Sequence, residues 1–347
     1  MRLANGVCIA VLLTWQLVLS PASALAHSRV RLATRSASQQ QLRVAIIGVS
    51  GKRTITEPGV VEIKLADSLI AGSRVSLIHQ SILKPALAGI GYDGSINMSK
   101  DQARRLGAAI GCDFFIMGKS EALTRSAREN ESHEEAYAGV LIIDARTGAL
   151  ALFDFIAEKA ASREAAVNGV IRTLSSRVSG YVDRITQIRD ASRIQSSQDS
   201  ARESTRSSLA EPIEEVPEEG STRAVGFTPP EVLNRVKPEY TSEAEQADIA
   251  AVVEAMVVFR SNGEVGHIEI TRWAGFGLDE SSERAIRQLK FKPATRDGKP
   301  ITVRALVRHN FRRLSEPNDH PEQQPSQPPA KPERDLRELF KPTYRRP

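Results

Sequence analysis

The stretch Asp248 to Arg272, DIAAVVEAMVVFRSNGEVGHIEITR, decides the fold of the C-terminal part of the chain. It holds two runs of alternating apolar residues, joined across Ser261-Asn262-Gly263. Alternation with a period of two is typical of β-strands. Asn-Gly favours a tight turn because both residues tolerate a positive φ. The stretch therefore predicts a β-hairpin.

The residues that follow the hairpin predict a helix and then one more strand. The segment GFGLDESSERAIRQLKFKPA has apolar residues at helical spacing, and Pro293 follows its end. Asp297-Gly298 marks a second turn. The run from Ile301 to Phe311, ITVRALVRHNF, alternates again and indicates a half-buried strand. The expected order is β-β-α-β, a small three-stranded sheet with one helix on a face.

The N-terminal half of the chain predicts an α/β layered domain between residues 42 and 193. Short apolar runs that suit buried strands alternate with amphipathic segments, in the order β-α-β-α-α-β-β-β, followed by a long helix. Ser99 and Gln102 have the spacing of a capping box, so a helix is expected to begin there. Pro85 is expected to break the helix before it.

The long helix, about residues 162–189, has an apolar stripe with steps of four and three. Its members are Val167, Ile171, Leu174, Val178, Tyr181, Ile185 and Ile188. Such a heptad stripe suits either a face laid on the domain's own sheet or the seam of a coiled-coil homodimer. Gly169 and Gly180 inside the helix weaken the second interpretation.

Composition divides the rest of the chain, and the fold class that results is α+β. Residues 194–228 are rich in Ser, Glu, Arg and Pro and bury little apolar surface, which favours a flexible linker. The predicted segments are a signal peptide (1–26), a polar disordered segment (27–41), the α/β domain (42–193), the disordered linker (194–228), the small C-terminal domain (229–313) and a disordered Pro-rich tail (314–347).

The first 26 residues have the features of an export signal. Arg2 precedes an apolar run from Gly6 to Leu19, and Ala24-Leu25-Ala26 has the small residues that signal peptidase needs before His27. The protein is therefore expected in the periplasm or cell envelope. The alternative is a retained inner-membrane anchor formed by residues 6–19. After cleavage Cys112 alone remains, so no intramolecular disulfide is expected.

The sequence does not favour an enzyme. VAIIGVSGKRT, residues 44–54, resembles a phosphate-binding loop, but Ile46 replaces the first glycine and Arg53 separates Lys52 from Thr54. His133 lies among carboxylates in a stretch that reads as a solvated acidic loop rather than a metal site. We expect no catalytic residue, cofactor or metal. The net charge of +5 is spread along the chain and gives no support for a nucleic-acid partner.

The C-terminal block resembles the C-terminal domain of TonB, the energy transducer of Gram-negative envelopes. The resemblance runs in order over about residues 229–312: PPEVLNRVKPEY, the hairpin, GFGLD, and then RAIRQLKFKPATRDGKPITVRALVRHNF. The signature residues are Phe291, Pro293, Ala294, Gly298, Pro300 and Phe311.

This resemblance implies binding by strand addition, in which a short receptor segment pairs with the edge of the sheet beside the last strand. The residues that it assigns to partner binding here are Tyr240, Ile301, Val303, Arg304, Ala305, Val307 and Arg308. Arg304 and Arg308 suit either solvated residues that keep the edge soluble or contacts to acidic partner residues.

The N-terminal block is loosely similar to the α/β envelope domains of TolB-like and CsgG-like proteins, on the stretch GYDGSINMSKDQARRLGAAIGCDFFIMG. Together the resemblances imply a non-enzymatic envelope protein that binds TonB-dependent outer-membrane receptors, in energy-coupled transport across the outer membrane. Contact with the ExbB–ExbD motor would require the leader to be retained. The alternative is a non-energised assembly factor, or a regulator of cell-wall or secretion machinery, that works through the N-terminal domain.

Overall fold

A computed structural model describes six parts of the chain: residues 41–49, 59–72, 74–126, 132–202, 212–218 and 220–312. The predicted signal peptide, residues 27–40, the loop that resembles a phosphate-binding loop beyond Val49, and the predicted Pro-rich tail lie outside these residues. Among the residues described, no helix combines the length and the apolar character that a membrane crossing requires.

The described residues of the N-terminal half form six strands and four helices. In chain order they are β1 (Leu42–Val49), α1 (Val60–Ala71), β2 (Val75–Leu77), α2 (Gln80–Gly89), β3 (Met98–Ser99), α3 (Lys100–Ile110), β4 (Phe114–Ser126), β5 (Ser132–Asp144), β6 (Leu150–Ala160) and α4 (Arg163–Arg202). Five of the strands form one sheet in the order β2-β1-β4-β5-β6. β1 is parallel to β2 and β4, and β5 is antiparallel to both of its neighbours, β4 and β6. This is the α/β layer that the sequence predicts.

The caps of α3 agree with the predicted capping box. The Ser99 hydroxyl accepts a hydrogen bond from the Gln102 N–H at 3.2 Å, and the Ser99 N–H donates to Gln102 Oε1 at 2.8 Å. Gly111 ends the helix with a φ of +72°. The predicted break at Pro85 is wrong, because α2 continues through it. Leu83 and Leu87 on either side are buried, and their packing outweighs the one hydrogen bond that a proline removes.

The apolar stripe of α4 packs on the domain's own sheet, the first of the two interpretations. Leu174, Val178, Tyr181 and Ile185 are buried in one cluster with α1 and the strands β1, β4 and β5. Val167, Ile171 and Ile188 pack against the same cluster. α1 and α4 therefore cover one face of the N-terminal sheet.

In the part of the C-terminal half that the structure describes there are nine strands, most of them very short, and two α-helices. They are β7 (Glu214–Glu215), β8 (Phe227–Thr228), β9 (Glu231–Val232), α5 (Ser242–Gln246), β10 (Ala251–Phe259), β11 (Val265–Trp273), α6 (Leu278–Arg287), β12 (Phe291–Lys292), β13 (Ala294–Arg296), β14 (Lys299–Ile301) and β15 (Val303–Phe311). The long elements β10, β11, α6 and β15 reproduce the predicted β-β-α-β order. The main sheet has the order β3-β11-β10-β15-β7.

The two predicted turns differ in geometry. Asp297 and Gly298 both have positive φ, 51° and 78°, and join β13 to β14 directly. At the Asn-Gly turn only Gly263 has a positive φ, because the loop is longer than two residues and closes through Arg260 N–H donating to Glu264 O. The hairpin lies where the sequence predicts it. Asn262, however, does not adopt the positive φ on which that prediction was based.

Parts of the segment predicted to be a linker, residues 194–228, have regular structure. α4 continues to Arg202, and β7 and β8 lie within the predicted linker and pair with strands of the C-terminal domain. Specific contacts hold them: Phe227 packs on the C-terminal core, and the Arg296 guanidinium lies 5.5 Å from its ring centroid. Average composition does not reveal such contacts. Residues 203–211 and 219 lie outside the described residues.

The two halves share one hydrophobic core on the second face of the N-terminal sheet. α2 and α3 cover part of that face, and residues of the C-terminal half cover another part. Phe276 is fully buried there, with its ring centroid 5.0 Å from Phe153 and 6.0 Å from Phe155 on β6. The two halves therefore form one compact unit over the described residues from Leu42 to Arg312.

Polar contacts align the two halves. The amide of Asn97 donates to Val252 O at 2.9 Å and to Trp273 O at 2.8 Å, and its oxygen accepts from Val252 N–H at 3.0 Å. The indole N–H of the buried Trp273 donates to Gly148 O at 3.0 Å. These bonds satisfy backbone groups that burial would otherwise leave unpaired.

A strained turn carries Phe276 into the shared core. Gly275, Phe276 and Gly277 all have positive φ, between 53° and 71°. The Asp279 carboxylate stabilises this turn by accepting Ala274 N–H at 2.9 Å and Gly275 N–H at 2.8 Å. Burial nevertheless raises the pKa of Asp279 from 3.8 to about 7.

Substitution of Gly139 tests the shared core. A Cβ at this position would lie 2.7–2.8 Å from the ring of Phe276, so Gly139→Ala must displace that ring. We expect the free energy of unfolding to fall by about 1–3 kcal/mol in urea titrations. The control is Gly180→Ala on α4, where nothing lies within 4 Å of the added carbon. An equal loss in both variants would contradict the close contact at Phe276.

The pH dependence of stability tests Asp279. Because its pKa is raised in the folded protein, the folded state holds a proton between about pH 4 and pH 7 that the unfolded state has released. Stability from this group is therefore greatest below pH 4 and declines by up to about 4 kcal/mol as the pH rises to 7.

The measurement is the difference in unfolding free energy between the wild type and Asp279→Asn at each pH. This difference should move against the wild type across the window, since asparagine does not titrate. The Asp67→Asn variant is the control for the same change of side chain at an exposed position. A difference independent of pH would show that Asp279 is ionised throughout.

Candidate partner-binding edge

The candidate site is the outer edge of β15 in the C-terminal sheet. β15 pairs with β10 over all nine residues, from Val303 opposite Phe259 to Phe311 opposite Ala251. On its other side, β15 pairs with β7 at Val303 and Arg304. Among the described residues, no strand pairs with that side beyond Arg304.

The direction of the backbone groups follows from two hydrogen bonds. Glu214 N–H donates to Thr302 O at 3.0 Å, and Val216 N–H donates to Arg304 O at 3.4 Å. In an antiparallel strand, successive residues point their N–H and C=O groups to opposite sides. The register with β10 has no bulge, so Leu306, Arg308 and Asn310 continue the outward set.

Side chains along β15 also alternate, between the face that packs under α6 and the opposite face. This alternation separates the predicted residues into two groups. Val303 and Ala305 are buried under α6, and Val307 packs against the same core, so their side chains support the strand from inside. Ile301 belongs to β14 and also packs on that core. Sequence reasoning missed Leu306 and Asn310 as site residues, although the alternation of the strand places their side chains on the same face as those of Arg304 and Arg308.

The two arginines each have an acidic partner within the chain. Arg308 contacts Glu254, directly opposite on β10, at 2.6 and 3.0 Å. Glu254 also lies 3.3 Å from Arg272 and is largely shielded from solvent. Arg304 contacts Glu215 of β7 at 3.0 Å, and both side chains are exposed. Arg308 thus belongs to a cross-strand charge cluster, whereas Arg304 lies in a solvent-accessible pair.

Tyr240 is partly buried, packs against the shared core and does not belong to β15. Its ring packs against the buried cluster, and its hydroxyl lies 3.1 Å from Ala244 O and 2.9 Å from Ile249 O. These contacts fix the entry to β10. The structure therefore gives Tyr240 a packing role and does not bring it together with the residues of the edge.

The remaining titratable groups give the edge a simple electrostatic character. Burial lowers the pKa of His309, so the basic charge of the strand comes from Arg304 and Arg308.

Away from the edge, burial raises the pKa of the Cys112 thiol to about 12, which agrees with an inert, packed thiol. Within the described residues, no three His, Cys, Asp or Glu side chains cluster as metal ligands would.

Comparisons with known proteins give a family match within the C-terminal half of the chain. Residues 236–312 match the family described as Gram-negative bacterial TonB protein C-terminal. A solved TonB C-terminal domain from Pseudomonas aeruginosa is 19% identical and covers 29% of this chain and 99% of its own, with a TM-score of 0.23. No curated protein matches the chain.

Two other solved structures are similar to this chain. The hypothetical protein CT253 from Chlamydia trachomatis is 13% identical and covers 41% of this chain and 98% of its own, with a TM-score of 0.31. The C-terminal domain of LpoB from Salmonella enterica is 11% identical and covers 37% of this chain and 92% of its own, with a TM-score of 0.25.

The family match covers the hairpin, α6 and β15, the elements from which the candidate edge is built. It supports a place in the cell envelope of Gram-negative bacteria. Residues 236–312 of this chain are a C-terminal domain of the TonB type.

Proposed function

We propose that the chain is a non-enzymatic protein of the periplasm whose C-terminal domain binds extended segments of other envelope proteins by strand addition. The partners we propose are TonB-dependent outer-membrane receptors, and the process is energy-coupled transport across the outer membrane. The observation that carries the proposal is that the backbone groups of Leu306 and Asn310 on β15 point to the outer edge of the sheet.

Strand addition suits this edge on physical grounds. Backbone hydrogen bonds supply most of the affinity in this mode and demand little of the partner's sequence. β15 itself is held in place on its inner side by nine paired residues of β10 and by packing under α6. A partner strand would therefore meet a rigid template and would not have to order it.

Two substitutions at Leu306 separate the contribution of the backbone to partner binding from that of the side chain. Its N–H points outward, so Leu306→Pro removes a donor for the partner while the bonds to β10 remain. Loss of this donor and crowding by the ring should weaken partner binding by about tenfold or more. The measurement is a quantitative pull-down from Gram-negative envelope extract, with the captured proteins identified by mass spectrometry.

Leu306→Ala is the matched control. It shortens the side chain but keeps the N–H group, so capture of receptors should stay close to the wild-type level. Circular dichroism of both variants checks that the sheet is intact. Equal capture by the proline variant would exclude strand addition at this edge, and prey consisting of wall synthases or secretion subunits would exclude receptors as the partners.

A second candidate function follows from the shared core. Phe276 and Trp273 pack into the N-terminal half. Within the described residues, the TonB-type domain is therefore in direct contact with the N-terminal half and is not separated from it by a long spacer. This arrangement favours a non-energised assembly factor or a regulator of cell-wall or secretion machinery, with the N-terminal domain as the working part.

The N-terminus of the mature protein distinguishes direct energy coupling from this alternative. We expect the chain to begin at His27, since Ala24-Leu25-Ala26 fits signal peptidase. Mass spectrometry of the protein from soluble periplasm and from inner membranes measures this directly. A chain that keeps residues 6–19 and sediments with inner membranes would instead allow contact with the ExbB–ExbD motor.

A further inference from the structure

The chain supplies its own occupant for part of the candidate edge. β7 lies parallel to β15, with Glu214 opposite Val303 and Glu215 opposite Arg304. The N–H groups of Glu214 and Val216 donate to the outward carbonyls of Thr302 and Arg304. These are the contacts that an added partner strand would make.

Charge holds this segment in register. The Glu214 carboxylate contacts the Arg296 guanidinium at 2.6 and 3.0 Å, and Glu215 contacts Arg304 at 3.0 Å. All four side chains are at least partly exposed, so each ion pair stabilises only modestly and is weakened by salt.

The residues that flank Glu214 and Glu215 differ in how firmly they are packed. Val216 packs against the cluster beneath α6, whereas about half of the Ile213 surface is exposed, 52%. Arg296 also donates to Arg223 O at 3.1 Å and stacks on Phe227, which anchors the chain after β7. The segment is therefore tethered beside the edge while its own pairing there is short.

We propose that residues 213–216 are a built-in competitor for the outer edge of β15, and that a partner displaces them with an acidic, extended segment that runs parallel to β15. The inference rests on the proposed function of this edge and adds its regulation and the chemistry of its ligand. The partner carries acidic residues where Glu214 and Glu215 lie, followed by an aliphatic residue in the place of Val216.

Competition lowers the apparent affinity of the partner by the fraction of molecules in which the edge is free. Because two backbone hydrogen bonds and two exposed ion pairs hold β7, the occupied form should dominate at low salt without being locked. Raising the ionic strength weakens the internal strand and any acidic partner together. A charge change confined to β7 weakens the internal strand alone.

The first arm of the experiment measures the internal strand in the full chain. Glu214→Lys/Glu215→Lys places like charges against Arg296 and Arg304 and should release β7. Hydrogen exchange at the Glu214 and Val216 amides should then be about tenfold faster than in the wild type. Glu218→Lys/Glu219→Lys makes the same change in net charge four residues further on and should leave exchange unchanged.

The second arm measures the vacated edge with a probe of known sequence. A fluorescent peptide Pro-Ile-Glu-Glu-Val-Pro, copied from residues 212–217, should bind the released variant about tenfold more tightly than the wild type. Arg304→Glu tests the register. This variant should prefer a peptide with Lys in the place of Glu215, and the wild type should prefer the original peptide.

The outcomes separate the two proposals. Unchanged exchange in the released variant would overturn self-occupancy and leave strand addition at the edge standing. Faster exchange without peptide binding would overturn the edge as a binding surface and, with it, the proposed function. Faster exchange, tighter binding and the reversed preference at Arg304→Glu support the inference.

Discussion

The second face of the N-terminal sheet has more apolar surface than its own helices cover. Tyr137 and Leu141 on β5, and Phe153 and Phe155 on β6, need a partner beyond α2 and α3. The turn that carries Phe276 supplies it, and the cost of its left-handed residues is offset by the aromatic surface that it buries. The position of the C-terminal domain, and therefore the direction in which β15 presents its edge, depends on this contact.

Local signals in the sequence predicted local structure well. Ser99 and Gln102 identified the start of α3, Asp297-Gly298 identified a turn, and the alternation between Ile301 and Phe311 identified the edge strand. Each of these features involves neighbours within a few positions. The bond between Trp273 and Gly148 joins residues 125 positions apart, and no spacing in the sequence indicates it. For that reason the sequence does not indicate how closely the two halves pack over the described residues.

The candidate edge shows the same limit. The alternation in β15 distinguishes inward from outward side chains, but which of the two sets points its backbone to solvent depends on the register with β10. The position of β7 on this edge was harder to predict. Glu214 lies in a stretch with the composition of a linker, and its ion-pair partner, Arg296, is distant in the sequence. Short segments of this kind become ordered through a few specific contacts and not through an apolar core of their own.

The parallel direction of β7 also has a mechanical consequence. A strand added to β15 in this direction and pulled along its axis would load its hydrogen bonds in shear, so that all of them would have to fail together. Beyond β15 the same load passes through β10 and β11 to β3, where Asn97 and the short strand join the N-terminal half. Tension on an added strand would therefore be shared by the sheet and the shared core.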